Sequence, residues 1–123
     1  MKNISKFLLF FIFLAPVAYA DEVEEGLKAL NRGDYKAAFE IWKPLAEKGN
    51  SIAQFNLGLM YDIGEGVPLD KVYAYMWFNI VAANGDKDAE EKRNKLNKTL
   101  SQSQVQEAQR LTRECVKKNY KGC

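Results

Sequence analysis

Apolar residues recur at intervals of three and four positions along most of the chain after residue 20. That spacing places them on one face of an α-helix. It is clearest over 70–84, where the apolar positions are Ala74, Trp77, Phe78, Val81 and Ala82. Similar patterns predict helices over about 34–49, 51–62 and 101–118. A polar, highly charged segment over 86–98 and a short one over about 22–31 complete six predicted helices, and strand-like alternation is nearly absent. The sequence therefore predicts an all-α fold of three antiparallel helix pairs, in which the outer pairs act as caps.

Short polar residues and glycines bracket several of these segments. Asp70 precedes the clearest helix as a predicted N-cap, and Gly85 follows it, where a left-handed residue suits a helix end. Asp34 and Gly49 bracket the earlier helix in the same way. We also expect N-caps at Ser51 and Ser101, for the helices that follow them.

The two bracketed helices are copies of one pattern, displaced by 36 residues. The matched pairs are Asp34 and Asp70, Ala38 and Ala74, Trp42 and Phe78, Ala46 and Ala82, and Gly49 and Gly85. A period in the mid-thirties is typical of a two-helix repeat whose units stack into a solenoid.

The first 20 residues have the pattern of a signal peptide. Lys2 and Lys6 precede an apolar run over 7–14, and the small residues Ala18 and Ala20 stand where a signal peptidase requires them. The sequence predicts cleavage after Ala20 and a periplasmic or secreted protein without stable membrane insertion. The alternative is an uncleaved membrane anchor, although the apolar run is about half the length of a spanning helix.

Charge and composition narrow the function classes. The 18 basic and 16 acidic residues of the whole chain become 16 and 16 once the leader is removed. This neutrality argues against nucleic acid as a partner, which calls for a basic excess. Residues 21–85 hold 6 bases and 10 acids, whereas residues 86–123 hold 10 and 6. This division of charge favours either an acidic partner bound at the basic C-terminal helix pair or head-to-tail stacking of copies. The alternative is that both charged regions are ordinary solvated surfaces.

No known catalytic set is present in the sequence. The chain has no histidine, the usual general base and metal ligand near neutral pH, and no nucleophile or phosphate-binding motif. We therefore expect no enzymatic activity, no cofactor and no metal. Asp62 lies just before the Gly64-x-Gly66 turn and Glu65 lies within it, and these two residues are the nearest approach to a carboxylate pair.

The central repeat carries a family resemblance. Residues 53–85 read Ala-x-x-x-Leu-Gly-x-x-Tyr-x-x-Gly-x-Gly-Val-x-x-Asp-x-x-x-Ala-x-x-Trp-x-x-x-x-Ala-Ala-x-Gly, which resembles the Sel1-like repeat almost position by position. The resemblance implies an α/α solenoid that binds or scaffolds other proteins, in a family whose bacterial members are often exported. It divides the mature chain into a degenerate repeat (21–50), a complete repeat (51–85) and a C-terminal capping pair (86–123). Gly58, inside the first helix of the complete repeat, is then expected to permit a close helix approach.

Candidate partner contacts follow from the same resemblance, because the first helix of each repeat lines the inner surface in this family. On that helix Gln54 and Asp62 lie off the apolar stripe of Ala53, Leu57 and Met60, and we name them as candidate contacts. Tyr73 and Tyr75 are candidate aromatic anchors, with packing between helices as the alternative.

Cys115 and Cys123 are the two cysteines of the chain. In an oxidising compartment an even number of cysteines favours pairing, and Asn119 and Gly122 allow the tail to turn back. We predict an intramolecular disulfide; free thiols, an intermolecular bridge and a redox role are the alternatives.

Together these observations predict an exported interaction or scaffold module that binds a protein or peptide partner. The alternatives are a small envelope enzyme or enzyme-modulating factor, and a structural subunit that self-associates through its charged ends.

Overall fold

The computed structural model describes residues 20–123, so the predicted signal peptide lies outside the described residues except for Ala20. The described residues form six helices and no strand. The helices are α1 (20–31), α2 (Tyr35–Glu47), α3 (Ser51–Ile63), α4 (Lys71–Ala83), α5 (Lys87–Thr99) and α6 (Gln102–Lys117). The predicted all-α fold is confirmed.

Helices α2 to α6 each begin at a short polar side chain. The N-caps accept a hydrogen bond from the backbone N–H three residues later, and they are Asp34, Asn50, Asp70, Asp86 and Ser101. This satisfies one of the N–H groups that a helix start leaves without an intrahelical partner. The predicted cap at Ser51 is wrong by one residue, because the amide oxygen of Asn50 accepts from Ala53 N at 3.0 Å and Ser51 is already helical.

Helix α4 is the centre of the fold. It packs against α3, α5 and α6, while α3 also packs against α2. Five consecutive residues of α4, from Ala74 to Phe78, are buried. A helix with neighbours on several sides has to be apolar around most of its circumference, which explains the nearly continuous apolar sequence of α4.

The buried residues form two clusters on either side of α4. The larger cluster joins α1 to α4 with the C-terminal cysteines, and Trp42, Leu57 and Trp77 are among its members. The smaller joins α4 to the capping pair through residues such as Phe78, Leu96 and Ala108. Hydrogen bonds also join α4 to α5 and α6. The Asn79 side chain on α4 accepts from Arg93 Nη1 on α5 at 3.1 Å and donates to Thr112 Oγ1 on α6 at 3.3 Å.

The turn from α3 to α4 is wedged against the preceding helix pair. Gly64 and Gly66 both adopt left-handed backbone angles, with φ near 80°. A Cβ atom on Gly66 would lie 2.6 Å from the carbonyl oxygen of Tyr35, at the start of α2. Glycine is therefore required there for two independent reasons, backbone angle and space.

Candidate functional site

A groove lies between α1 and α3 and has α2 at its base. Its volume is about 440 Å³. We call it the α1–α3 groove; its lining residues are Leu30, Asn31, Tyr35, Trp42, Asn56, Leu59, Met60, Ile63 and Glu65. Trp42 and Met60 are buried members of the larger core cluster, so the base of the groove is fixed by the packing of the protein.

Part of the groove wall is an exposed apolar stripe on α3. Ile63 is 58% exposed and Ile52, at the other end of the helix, is 57% exposed. Phe55 and Leu59 lie between them at helical spacing and are half-buried. The stripe leads from the α1–α3 groove to a smaller depression of about 130 Å³, which Asp86 and Asp88 border. Apolar surface therefore continues along α3 on its solvent side.

Three polar side chains stand at the groove: Asn31 on α1, Asn56 on α3 and Glu65 on the turn after α3. None of the three makes a side-chain hydrogen bond or ion pair with any other residue between 20 and 123. Amide groups can donate and accept, and a carboxylate accepts. The groove thus combines an apolar base with polar groups that are available to a ligand.

The sequence prediction for Gln54 as an exposed partner contact is wrong. Its side chain is fully buried, at 0% exposure, and Gln54 Nε2 donates to Ala46 O at 3.0 Å. Its Oε1 atom is also buried and finds no partner among the described residues. The reason is that α3 packs against α2 and α4 at once, which widens its buried arc beyond the stripe of Ala53, Leu57 and Met60. Gln54 joins α3 to the end of α2.

Asp62 is engaged within the protein. Lys71 Nζ lies 2.6 Å from Asp62 Oδ1 and also donates to the Asp62 carbonyl oxygen at 2.7 Å, so the pair spans the α3–α4 turn. The Asp62 side chain remains 24% exposed. Its role as a partner contact stays a prediction.

The two tyrosines named as anchors take part in packing. Tyr75 is buried in the smaller cluster. Tyr73 stacks on Tyr61, with ring centroids 5.2 Å apart, and the rings of Tyr61 and Phe39 are nearly perpendicular, with centroids 5.8 Å apart. The alternative interpretation, packing between helices, accounts for both tyrosines.

The Cys115–Cys123 disulfide is present, with a Cα–Cα distance of 5.7 Å. The tail turns back after α6 through left-handed angles at Asn119 and Tyr120, and Tyr120 N donates to Cys115 O at 2.9 Å. The Tyr120 ring packs on Gly49, and Gly122 N donates to Glu47 Oε2 at 3.3 Å. The tail therefore connects the capping helix to the end of α2.

Burial also affects one charged group near this contact. Lys43 Nζ lies 5.7 Å from the centre of the Trp77 ring and 3.7 Å from Glu47 Oε1. Desolvation lowers the pKa of Lys43, and the neighbouring Glu47 carboxylate opposes that effect only in part. Lys43 is thus a core-edge lysine whose charge is stabilised by one carboxylate and one aromatic face.

Residues 20–123 contain no cluster of three or more acidic or cysteine side chains arranged to hold a metal ion. Over the same residues, none of the helices has the length and apolar character needed to cross a bilayer.

Sequence reasoning missed the groove residues Asn31, Asn56, Ile63 and Glu65 as a group. A signal for part of the set was present: Ile52, Leu59 and Ile63 repeat at helical spacing on the side of α3 away from the buried stripe. A second apolar stripe on a helix that already has a buried one indicates an apolar surface exposed to solvent or to a partner.

Comparisons with known proteins agree with this architecture. A crystal structure of a protective antigen present in uropathogenic Escherichia coli strains, described as displaying an SLR fold, superposes with a TM-score of 0.74 at 32% identity; the match covers 83% of this chain and 23% of the antigen. The ubiquitin-ligase component HRD3B of Arabidopsis thaliana is 38% identical over 73 residues, which are 57% of this chain and 12% of HRD3B. The DAP3-binding cell death enhancer 1 of Rattus norvegicus is 42% identical over 45 residues, 37% of this chain and 9% of that protein.

The repeats themselves are matched along the chain. The Sel1 repeat pattern matches residues 17–50 and again residues 51–86, so α1 and α2 form the first unit and α3 and α4 the second. Proteins built from these repeats are generally protein–protein interaction modules. Because the two matched units make up more than half of its length, the chain belongs to the Sel1 repeat family.

Proposed function

We propose that this protein is an exported interaction module of the cell envelope, periplasmic or secreted, that holds a short segment of a partner protein in the α1–α3 groove. The observation that carries the proposal is the combination of an apolar base with three polar side chains that have no partner among residues 20–123. A preformed apolar concavity with a few convergent polar groups is the usual form of a binding site.

The size of the groove suits a short segment. Its volume of about 440 Å³ lies within the range of sites that enclose small ligands. With two matched repeats and a capping pair, the inner surface is limited to three first helices, α1, α3 and α5. A few residues of a partner chain would fill the groove, and the exposed stripe on α3 would extend the contact.

Two features support the envelope as the compartment. The N-terminal sequence has the order of a signal peptide, and the Cys115–Cys123 bridge is of the kind that persists in oxidising compartments. The names of the relatives also describe proteins that act with other proteins, one as DAP3-binding and one as a component of a ligase. We extend this to the present chain as a scaffold role without catalysis, which is typical of the fold.

A site-specific photo-crosslink tests the groove. A photo-reactive residue at Ile63, in the full chain expressed in its own cells, is expected to form discrete adducts with a partner protein. Val116 on α6, 49% exposed and outside the groove, is the matched control position. Equal adducts from both positions, or none from Ile63, would contradict binding in the groove.

The compartment needs a separate measurement. We expect the protein in the periplasmic or extracellular fraction, with Asp21 as its first residue. A protein that retains Met1 in a membrane fraction would support the uncleaved anchor and contradict this part of the proposal.

The charge division of the chain favours self-association as a second candidate function. Residues 21–85 are acidic and the capping pair, residues 86–123, is basic, so copies could stack head to tail through opposite surfaces. Sedimentation velocity at low salt would then show oligomers that dissociate as salt is raised. A monomer at every protein concentration would remove this candidate and leave the groove proposal intact.

A further inference from the structure

Glu65 is held in a fixed position at the edge of the α1–α3 groove. It lies between two glycines with left-handed backbone angles, and its N–H donates to Met60 O at 3.2 Å. Because the adjoining Gly66 is wedged against the Tyr35 carbonyl, the turn has little room to move. Its carboxylate is therefore presented by a rigid segment.

The carboxylate of Glu65 has no cation beside it. Lys71, the base that follows the same turn, is already bound to Asp62, and no residue between 20 and 123 forms an ion pair with Glu65. Glu65 is itself partly buried, and the apolar side chains of Leu59 and Ile63 line the same groove. A carboxylate in such a position binds a cationic group more strongly than one in open solvent, because less water competes for it.

The net negative charge of the residues around the groove also favours a basic partner. Residues 21–70, which form α1, α2, α3 and the turn, hold 5 bases and 10 acids. A negative surface of this kind attracts a basic segment over several ångströms before contact. The surface charge thus complements the specific carboxylate in the groove.

The amide and apolar side chains of the groove suit the backbone of a bound peptide and one of its side chains. Asn31 and Asn56 come from different helices, and each amide can donate one hydrogen bond and accept another. The backbone N–H and C=O groups of an extended partner segment are free to bond with these two amides, because no neighbouring strand uses them. Leu30, Leu59 and Ile63 provide apolar surface for one large side chain.

We infer that the α1–α3 groove selects partner segments in which a large apolar side chain stands next to a lysine or arginine, and that Glu65 binds the basic side chain. This selectivity rests on the proposed function, because it requires the groove to hold a protein segment. It makes Glu65 a specificity-determining residue and names the partner by its chemistry.

Selection from a random heptapeptide display library on the immobilised full chain tests this selectivity. The unsubstituted protein should enrich an apolar residue adjacent to lysine or arginine. Glu65→Gln should keep the apolar preference and lose the basic one, and Glu65→Lys should favour an acidic residue instead. Glu40→Gln, which alters an exposed carboxylate on α2 outside the groove, is the matched control and should leave the enriched sequences unchanged.

Affinities for the most enriched peptide complete the test. Replacing its basic residue with alanine should weaken binding to the unsubstituted protein about tenfold, as expected for a charge-assisted hydrogen bond. The same peptide change should have little effect on binding to Glu65→Gln, while Ile63→Ser should weaken both peptides. Circular dichroism confirms that each variant is folded before binding is measured.

The possible results separate the two proposals. Enriched apolar peptides without a basic preference, or a basic preference that survives Glu65→Gln, would overturn the role of Glu65 and leave the peptide-binding function standing. The absence of any enrichment above the starting library would count against the proposed function itself.

Discussion

Gly58 of α3 lies directly against the ring of Phe78 of α4. A Cβ atom on Gly58 would be 2.6 Å from Phe78 Cε1 and 2.8 Å from Cδ1, closer than non-bonded carbon atoms approach each other. Both residues are buried, and the contact is where the two helices of the complete repeat come together. This confirms that Gly58 permits a close helix approach.

Gly58→Ala should therefore destabilise the protein although alanine favours helix formation. The propensity gain is about 1 kcal/mol, whereas overpacking a core costs about 1–3 kcal/mol. Because the built Cβ overlaps the ring deeply, we expect the cost to exceed the gain, with a net loss of up to about 2 kcal/mol in the free energy of unfolding, measured by urea denaturation. Phe78→Leu in the same chain should recover part of that loss by making room, and an unchanged or higher stability in Gly58→Ala alone would show that the helices are free to separate.

The same relationship recurs between Gly26 of α1 and Trp42 of α2. A Cβ atom on Gly26 would overlap the indole ring, and Trp42 Nε1 donates to Val23 O at 3.2 Å. The glycine-to-aromatic separation is four residues shorter here, 26 to 42 against 58 to 78, because the turn between α1 and α2 is shorter. The 36-residue displacement that pairs Trp42 with Phe78 does not pair Gly26 with Gly58, because the two repeats have turns of different length between their helices.

Gly26→Ala should displace the indole of Trp42 and break its bond to Val23. Overpacking at the upper end of its range costs about 3 kcal/mol, and the lost hydrogen bond, about 1 kcal/mol, offsets the helix-propensity gain of alanine, so we expect a net loss of about 3 kcal/mol. In a Trp77→Phe background, in which Trp42 is the single tryptophan, the fluorescence maximum should shift to the red as the indole gains solvent. An unshifted maximum with unchanged stability would contradict the close contact.

Most of the fold could be predicted because its signals are local. Helix periods, aspartate caps and left-handed glycines act over a few residues, so the N-caps at Asp34, Asp70 and Ser101 were predicted correctly. Gln54 was placed wrongly because its burial depends on the simultaneous packing of α3 against α2 and α4. A one-helix pattern contains no information about how many neighbours that helix has.

The candidate site was less predictable for a related reason. Its polar groups come from α1, α3 and the following turn, and only the stacking of two helix pairs brings Asn31, Asn56 and Glu65 to one groove. Asp62, in the last turn of α3, and Glu65, three residues later, also differ in role, since Asp62 pairs with Lys71 while Glu65 lines the groove. Sequence proximity gave no indication of that difference.

The C-terminal bridge should contribute measurably to stability. Replacing both cysteines, as Cys115→Ser with Cys123→Ser, removes a link that closes a short loop in the unfolded chain, worth about 2–3 kcal/mol. We expect the free energy of unfolding to fall by about that amount. Dithiothreitol should lower the stability of the parent protein and leave the double-serine variant, the control, unaffected.

The thiol state of the protein isolated from its own cells gives an independent check on the bridge. Without reductant, alkylation should add no mass to the parent protein; after reduction and unfolding it should modify both Cys115 and Cys123. Two alkylated cysteines before reduction would contradict the bridge. Tyr120→Ala, which keeps the cysteines but removes the ring from Gly49, should cost stability even when the bridge is intact.

The aromatic contact of Tyr61 predicts a loss of stability at alkaline pH. Burial raises the pKa of Tyr61 above its ordinary value of 10.0, and the nearby Tyr73 and Asp70 raise it further. Between 10.0 and this raised value the unfolded chain has already released the phenol proton while the folded chain retains it. The folded state then binds more protons, so the free energy of unfolding decreases as pH rises through this window.

Tyr61→Phe should remove this part of the alkaline loss. Urea denaturation from about pH 8 to about pH 11 should show a shallower decline for the variant than for the parent protein. Lys43 contributes with the opposite sign, because burial lowers its pKa below 10.5 and a rise in pH relieves the cost of its buried charge. Lys43→Met should therefore make stability decline more steeply with pH. Identical pH profiles for Tyr61→Phe and the parent protein would contradict the Tyr61 prediction, because they would show that its phenol titrates as it does in the unfolded chain.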